Sequence, residues 1–388
     1  MNFTPTPQQA EWQERARRLA RETLAPRAGA ADDLGEFQRA ALDDLRHNGF
    51  LSLAVPDWHG GQWEDHVTYA LVMEALGEGD ASLTCCLAMH FGCTFHLLNA
   101  GDREQKERWL GRIVRDGAML AVASTDARPE EEAPPGLVHA TPVEGGYRLH
   151  GRKYFVTGAG VADAYITRAE REEGGALNCA VPACDNPGVR VEERWDGMGL
   201  RASATNDVIF EDCFVPAADV LGVCPDPEPL CFQPTAGFSI GLAAWPLGVA
   251  RAAFAYARRV LRRESERAGT GRPVSQEKRR LLAEMHLDIE AARWLLYHAA
   301  WVADTQPERY LMPLQAARYA STAGAVRVTH NALLAVGGRG YLERNPLERL
   351  LRDAQAAPLQ AACHEQCLER VAGELLREGG GTGALSGS

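Results

Sequence analysis

Residues Val336 to Asp353 read VGGRGYLERNPLERLLRD, and the fold assignment starts from this stretch. Three glycines, Gly337, Gly338 and Gly340, fall within four residues. Because a glycine has no Cβ, such a turn lets the backbone approach another molecule closely. The Arg- and Glu-rich residues that follow predict a helix that ends near Asp353. The stretch therefore predicts a close-contact turn followed by a short helix.

The whole chain has the size and composition of a multidomain protein. It contains 388 residues, of which 46% are hydrophobic, enough for the cores of two or three domains. The formal net charge is −11, which argues against nucleic acid as a partner, because a surface that binds phosphates needs an excess of basic residues.

Signals for export or membrane insertion are not evident in the sequence. The N-terminal residues MNFTPTPQQAEWQERARRLA lack an apolar core segment and predict an exposed amphipathic helix rather than a signal peptide. No run approaches roughly 18 apolar residues, so no membrane span is predicted. The 10 cysteines form no CxxC pairs and no cluster with histidines, so we expect neither a zinc site nor disulfides. These features favour a reducing, cytoplasmic location.

Hydrophobic periodicity divides the chain into three zones. In the first, apolar residues at three- and four-residue spacing predict helices over Gln9–Leu24, Glu36–Gly49, Asp65–Leu76 and Arg103–Asp116. In the second, short alternating or β-branched segments predict strands over Met119–Ser124, Leu137–Pro142, Tyr147–His150, Tyr154–Thr157, Ala164–Thr167, Asn178–Val181, Val189–Glu193 and Asn206–Phe210. In the third, helical periodicity returns over 237–266, 275–304, 312–335 and 363–377.

The three zones predict three domains in the order helices, sheet, helices. We place an all-helical domain at residues 1–118, a compact antiparallel β domain at 119–228 and a helical bundle at 229–388. The proline-rich segment Asp226 to Pro234 is interpreted as the linker before the bundle.

The stretch from Val336 to Asp353 resembles the C-terminal signature of the acyl-CoA dehydrogenase family of flavoproteins. In that family a glutamate that removes the α-proton of the substrate commonly lies eight residues after the aspartate, and this position is Ala361 here. Some relatives place the glutamate in the first helix of the C-terminal bundle, at the position that aligns with Phe238. Neither side chain can accept a proton.

A second resemblance lies in the β zone, where residues 151–157 read GRKYFVT and match the family segment G-x-K-x-[WF]-I-[TS]. By this resemblance Phe155 packs against the isoalloxazine ring and the Thr157 hydroxyl bonds near flavin N5. An aromatic that shields the flavin and a small hydroxyl donor suit such a site. The alternative is an ordinary strand with Phe155 in the core. Upstream, the segment AVASTD places Thr125 and Asp126 at the family's Thr and Glu, with Thr125 on the pyrimidine side of the flavin.

Two further segments follow the family order. Residues 195–216, WDGMGLRASATNDVIFEDCFVP, resemble the segment that ends the family's β domain, with Ser203 and Thr205 at its hydroxyl positions. Residues 267–273, RAGTGRP, fit R-x-x-[FT]-G-x-P, whose arginine grips the FAD pyrophosphate from a neighbouring subunit. Arg267 and Thr270 then join the three glycines as FAD ligands. A helix-end arginine is the alternative reading of Arg267.

Together these motifs cover nearly the whole chain in the family's order. The resemblance implies an α+β, mostly α fold of acyl-CoA dehydrogenase type, in which an N-terminal helical domain precedes a central antiparallel β-barrel and a C-terminal four-helix bundle. It further implies FAD as the cofactor and a homodimer or homotetramer.

Several residues are candidates to replace the missing glutamate as the base. His364 and Glu365 lie three and four residues beyond Ala361, and a neutral imidazole is a competent base. The alternative is a helix-start pair that faces solvent. Other candidates in the sequence are Asp126, His90, His96 and Glu74.

The sequence is also compatible with several classes of substrate. Residues Arg128 to Glu132 (RPEEE) replace the family's G-x-G-S-D, and Ala236 and Ser239 stand where the family can show Asp and Arg. Three consecutive carboxylates that face a phosphate-rich cofactor would repel it, which weakens the case for free CoA esters. The alternative is a solvated loop that points away from the site. We therefore expect an FAD-dependent oxidoreductase that oxidises an acyl thioester, bound to CoA or to a carrier protein, or a related small molecule. A reduced-flavin-dependent monooxygenase on the same fold and a non-catalytic binding protein are the alternatives. No metal, nucleic acid or membrane partner is predicted.

Overall fold

The computed structural model describes residues 4–126, 137–183, 185–192, 195–224, 235–267, 274–343, 345–360 and 364–378. Its helices, in chain order, are α1 Pro7–Leu19, α2 Ala25–Leu34, α3 Arg39–His47, α4 His66–Gly77, α5 Ala81–Ala100, α6 Arg103–Asp116, α7 Ala236–Arg267, α8 Gln276–Thr305, α9 Leu311–Val336, α10 Pro346–Ala356 and α11 His364–Glu378. Its strands are β1 Leu120–Ala123, β2 His139–Val143, β3 Gly146–Val156, β4 Ala164–Arg171, β5 Ala176–Pro182, β6 Val189–Glu192, β7 Asn206–Pro216 and β8 Val220–Cys224.

The contacts within the chain divide it into two compact units. The bundle unit comprises Met1–Gly29, Asp65–Ala81 and Leu242–Ser388, and the sheet unit comprises Ala30–Glu64 and Ser82–Gly241. The three-domain boundaries that we place at 118/119 and 228/229 stay a prediction.

The sheet unit is built around eight strands. Their order is β6-β7-β3-β2-β4-β5-β8, and β1 pairs with β4 beside this path. Most neighbours are antiparallel, as the alternation predicts, but β1 and β2 both run parallel to β4. One face buries a continuous apolar core that includes Leu149, Tyr165, Leu177 and Phe210. The two segments predicted at 147–150 and 154–157 belong to the single strand β3.

The bundle unit is built around α9. This helix packs against α8, α10 and α11, and α4 packs against α1 and α8. The opening stretch forms the connection from α9 to α10 as predicted: α9 ends at Val336, and the Asn345 side chain caps α10 by accepting the Leu347 N–H at 3.0 Å. Pro346 occupies the first turn of α10, where its missing N–H costs no helical bond.

Two helices within the described residues are long and apolar enough to span a bilayer, judged by length and composition alone. They are Ala81–Ala100 and Ala236–Glu266, and 94% and 78% of their apolar windows are buried inside the protein. Because their apolar faces are already covered by protein, they are core helices of a soluble fold.

Helices α4 and α7 cross closely within the bundle unit because glycines stand at the crossing. A Cβ added at Gly248 would lie 2.4 Å from the Glu74 carbonyl oxygen, and one added at Gly77 would lie 2.6 Å from the Trp245 carbonyl oxygen. Such distances are far inside van der Waals contact, so the two helices can approach this closely only with glycine at both positions.

We expect Gly248→Ala to destabilise the protein by about 1–3 kcal/mol, because the methyl group must push two buried helices apart. The free energy of unfolding in urea measures this change. The matched control is Gly324→Ala within α9, where an added Cβ would lie 3.9 Å from the Asp288 carbonyl oxygen, an ordinary contact. Equal stability of Gly248→Ala and the wild type would contradict the tight crossing.

Candidate functional site

Phe155 is held away from the core of the sheet unit by a local irregularity in β3. The pairing of β3 with β7 shifts register between Lys153 and Val156, and Phe155 has a positive φ of 53°. Bulges of this kind turn a side chain away from its regular direction. The Phe155 ring is 59% exposed and lies edge-on to Trp195, with 6.4 Å between the ring centroids. The alternative of an ordinary core phenylalanine is therefore wrong.

Thr125 and Thr157 both lie near Phe155, Thr125 through its bridge to Tyr154 and Thr157 two residues further along the chain. Thr125 is exposed, and its carbonyl oxygen accepts a hydrogen bond from the Tyr154 N–H at 2.9 Å. This bond holds Thr125 beside Tyr154, the residue that precedes Phe155. The Thr157 hydroxyl is buried and accepts a hydrogen bond from the Thr205 hydroxyl at 3.1 Å, and the Ser203 hydroxyl lies 2.7 Å from Thr205. The sheet unit thus presents an exposed aromatic ring two residues before a buried, hydrogen-bonded hydroxyl, which is the pair that the family resemblance assigns to the flavin.

Asp126 is committed to an ion pair. Its carboxylate lies 2.6 Å from Nζ of Lys153, a lysine that is only 1% exposed. Burial lowers the pKa of Lys153, and the Asp126 charge opposes that shift. Asp126 therefore serves to neutralise a buried ammonium group, and it is a poor candidate for the missing base.

The three glycines of the α9–α10 turn differ in their surroundings. Gly337 has φ +77°, and a Cβ added at Gly337 or Gly338 would meet no atom of the chain within 4 Å. A Cβ at Gly340 would instead crowd Leu333 at 3.2 Å and Leu347 at 3.4 Å. Gly337 and Gly338 thus leave open space for a ligand, whereas packing within the turn already accounts for Gly340.

The remaining predicted FAD ligands fall at the edge of the described chain. Arg267 is the last residue of α7 and Thr270 lies outside the described residues. Ala361 and the three glutamates at 130–132 also lie outside them. Phe238, at the alternative position of the family's base, is buried, and its ring fills the space beside Gly92.

Glu74 is a buried structural carboxylate. It is fully buried in α4 and accepts hydrogen bonds from Arg251 at 2.6 Å, from Arg293 at 3.2 Å and from the Tyr297 hydroxyl at 2.6 Å. Arg251 also pairs with Glu78 at 3.0 Å. A carboxylate with three donors, two of them cationic, is tied into the framework of the bundle unit. These arginines line a cavity of about 580 Å³ between α7 and α8 that contains none of the predicted site residues.

His90 and His96 are also committed to the interior of the sheet unit. Nε2 of His90 lies 2.8 Å from the Leu51 carbonyl oxygen, and the Leu120 N–H donates to Nδ1 at 3.1 Å. This pattern requires a neutral ring with its hydrogen on Nε2. Burial lowers the pKa of both His90 and His96 to about 4.

His364 has the surroundings of a proton acceptor. It begins α11, is half-buried, and its Nε2 lies 2.5 Å from the Thr322 hydroxyl, while its ring tilts against Tyr319 at 4.8 Å. Thr322 donates its own hydrogen to the Arg318 carbonyl oxygen at 2.9 Å, which favours the hydrogen of His364 on Nε2 and the lone pair on Nδ1. Burial, followed by the Arg318 charge, lowers the pKa of His364. Glu365 is exposed.

We expect stability to fall as the pH drops from about 6.5 to 4, because the unfolded chain protonates His90 near its ordinary pKa while the folded chain resists until about 4. Such a shift corresponds to roughly 3 kcal/mol per histidine at low pH. His90→Gln keeps a donor for Leu51 but does not titrate, so it should flatten the decline in urea-unfolding experiments. The same change at exposed His47 should leave the decline as in the wild type, and an unflattened profile for His90→Gln would contradict the buried neutral state.

Comparison with known proteins gives the family. Three acyl-CoA dehydrogenase domain models match the chain, the N-terminal domain over residues 6–116, the middle domain over 135–213 and the C-terminal domain over 239–375. An acyl-CoA dehydrogenase of Bacillus subtilis is 30% identical over 368 residues, which cover 93% of this chain and 96% of that protein. The chain belongs to the acyl-CoA dehydrogenase family.

Solved structures agree with this assignment. Butyryl-CoA dehydrogenase from Megasphaera elsdenii is 29% identical, with a TM-score of 0.89 over 97% of this chain and 100% of that chain. KijD3 in complex with FMN and a dTDP-linked amino-keto sugar is 26% identical, with a TM-score of 0.84 over 97% of this chain and 95% of that one.

Membership of the family confirms the central predictions. The fold is mostly helical with a sheet region between helical regions, and the chain is an FAD-dependent oxidoreductase of acyl-CoA dehydrogenase type. The roles of individual residues toward FAD and substrate stay predictions.

Proposed function

We propose that this protein oxidises an acyl thioester, carried by CoA or by a carrier protein, and that His364 accepts the proton from the α-carbon. The observation that carries the proposal is the environment of His364, a half-buried imidazole held by Thr322 three residues beyond the family's base position. Flavin-dependent oxidation of a thioester needs such an acceptor over the α-carbon while a hydride leaves the β-carbon.

The residues fit FAD, which supplies the hydride acceptor when bound. Phe155 offers an exposed ring for the isoalloxazine, and buried Thr157 offers a hydroxyl near it along the chain. Open space at Gly337 and Gly338 suits the pyrophosphate, and by resemblance Arg267 and Thr270 complete the grip. Thr125 lies next to the strand that carries Phe155 and suits the pyrimidine side of the ring.

His364 is favoured over three candidates whose polar atoms are occupied and over Glu365, which is exposed. Glu74 and Asp126 are tied to cations, and His90 uses both ring nitrogens on the backbone. The Nδ1 atom of His364 has no hydrogen-bond partner among the described residues, and its lowered pKa keeps it neutral at pH 7. A neutral imidazole with a free lone pair is ready to take a proton.

We expect His364→Gln to slow anaerobic bleaching of the oxidised flavin by an acyl thioester at least about 100-fold, the usual contribution of a general base. The wild-type rate should rise with pH through a pKa below 6.5, because deprotonated His364 is the active form, and this step should vanish in the variant. Stopped-flow absorbance in single turnover measures both.

The matched control is Glu365→Gln, which removes the neighbouring exposed carboxylate and should leave the bleaching rate within about threefold of the wild type. Loss of bleaching in Glu365→Gln together with normal bleaching in His364→Gln would transfer the role to Glu365. Colourless wild-type protein that takes up no FAD would overturn the proposed function altogether and revive a binding role.

A second function has a specific observation in its favour. The residues at the family's two base positions, Ala361 and Phe238, cannot accept a proton, and KijD3, which shares the fold, binds FMN and a nucleotide-linked sugar. A reduced-flavin-dependent monooxygenase needs a dry pocket and a hydrogen-bond donor, such as Thr157, but no α-proton base.

The two functions separate by their use of oxygen. The dehydrogenase proposal predicts flavin bleaching by thioesters without oxygen, and oxygen uptake by the reduced protein that yields no hydroxylated thioester. An oxygen electrode with product mass spectrometry tests this on the holoprotein. Oxygen consumption coupled to a hydroxylated product, with no bleaching by any CoA-bound or carrier-bound acyl group, would replace the dehydrogenase with the monooxygenase.

Homo-oligomerisation and a cytoplasmic location belong to the proposal. Helix α8 exposes Leu287, Trp294 and Leu295, and α11 exposes Leu368, Leu375 and Leu376. Leu287 and Trp294 are seven residues apart, so they share one face of α8. Apolar faces of this kind support a homodimer or homotetramer. Six buried cysteines among the described residues form no disulfide, which supports a reducing compartment.

A further inference from the structure

Three hydroxyl groups form a buried chain in the sheet unit. Ser203 lies 2.7 Å from Thr205, and Thr205 donates to Thr157 at 3.1 Å. Their residues are 0%, 6% and 8% exposed, respectively. Buried hydroxyls bond to one another at such distances because water is not available to them. This chain of hydroxyl groups therefore connects the interior of the sheet unit to Thr157.

The hydrogen bonds between these three hydroxyl groups all run in one direction, from Ser203 toward Thr157. A hydroxyl carries a single hydrogen. Because Thr205 gives its hydrogen to Thr157, Ser203 must give its hydrogen to Thr205. Thr157 then receives a hydrogen bond and keeps its own hydrogen, for which no acceptor is found within the described parts of the chain. Donors linked in one direction polarise each other, so the last hydrogen becomes a better donor.

The backbone around the chain is held in costly conformations. Leu200 and Ala204 have positive φ values of 51° and 47°, which residues with a Cβ rarely adopt. The Ser203 carbonyl oxygen accepts from the Gly158 N–H at 3.1 Å and from the Cys86 thiol at 3.2 Å. Strain that the surroundings hold in place tends to lie at functional sites. Here it lies on both sides of Ser203.

We propose that Ser203 and Thr205 are positioning residues that orient the Thr157 hydrogen toward flavin N5. This inference rests on the proposed function, in which Thr157 contacts N5. Thr157 is the residue that touches the cofactor, and the other two act through it. The three linked hydroxyl groups hold the Thr157 hydroxyl in one orientation, as a fixed hydrogen-bond donor. Flavin N5, the electron-accepting nitrogen, then meets a preorganised dipole.

The test is the ¹⁵N resonance of N5 in holoprotein reconstituted with ¹⁵N-labelled FAD. Thr157→Val should move the resonance downfield, toward that of a nitrogen that accepts no hydrogen bond. Thr205→Val should move it in the same direction with FAD still bound, and Ser203→Ala should move it less. Thr205→Ser keeps the hydroxyl and should restore the wild-type position. Flavin bleaching in Thr205→Val should slow about fivefold, the value of one ordinary hydrogen bond.

The matched control is Thr167→Val. Thr167 is equally buried in the same sheet, but its hydroxyl donates to the Ala123 carbonyl oxygen and takes no part in the chain. Its N5 resonance should equal that of the wild type. An unmoved resonance in Thr205→Val, with a moved one in Thr157→Val, would overturn the positioning role while the proposed function stands. An unmoved resonance in Thr157→Val would overturn the N5 contact and the inference with it.

Discussion

The bundle unit depends on one buried carboxylate. Glu74 is fully buried, and a carboxylate is tolerated there only because Arg251, Arg293 and Tyr297 satisfy it. Removing one partner of such a network typically costs about 3–5 kcal/mol, because a buried charge is left uncompensated. The three donors come from α7 and α8, so the network ties α4 to both helices. The glycines at the α4–α7 crossing provide the close approach that brings these groups within reach.

This framework bears directly on the chemistry. A flavoprotein of this family normally places a carboxylate over the substrate, and here both family positions hold apolar residues. Two candidate carboxylates are engaged elsewhere, Glu74 with two arginines and Asp126 with buried Lys153, and the third, Glu365, is exposed. Glu74 and Asp126 therefore stabilise the structure through their ion pairs. We therefore propose that His364, held by Thr322, takes up the proton.

The sequence was sufficient for the family and most of the helices, because ordered motifs and a 3.6-residue period are local signals. Hydrophobic periodicity did not predict α5, because its residues are buried almost all round and no polar face marks a helical period. The parallel pairing of β4 with β1 and β2 was also missed, since alternation indicates a strand but not its partner. Glu74 looked like a pocket residue because its arginine partners lie 177 and 219 residues away. The exposure of Phe155 depends on a register shift that composition does not reveal.

The central claim is that this scaffold retains the geometry for thioester oxidation and has its base displaced from position 361 to His364. The most direct measurement is anaerobic flavin bleaching by an acyl-CoA in the double variant Ala361→Glu/His364→Gln, compared with His364→Gln alone. If the base is displaced to His364, the glutamate at the family's position should restore bleaching by at least about tenfold, within the range of a general base. No gain in the double variant, with FAD still bound, would contradict it.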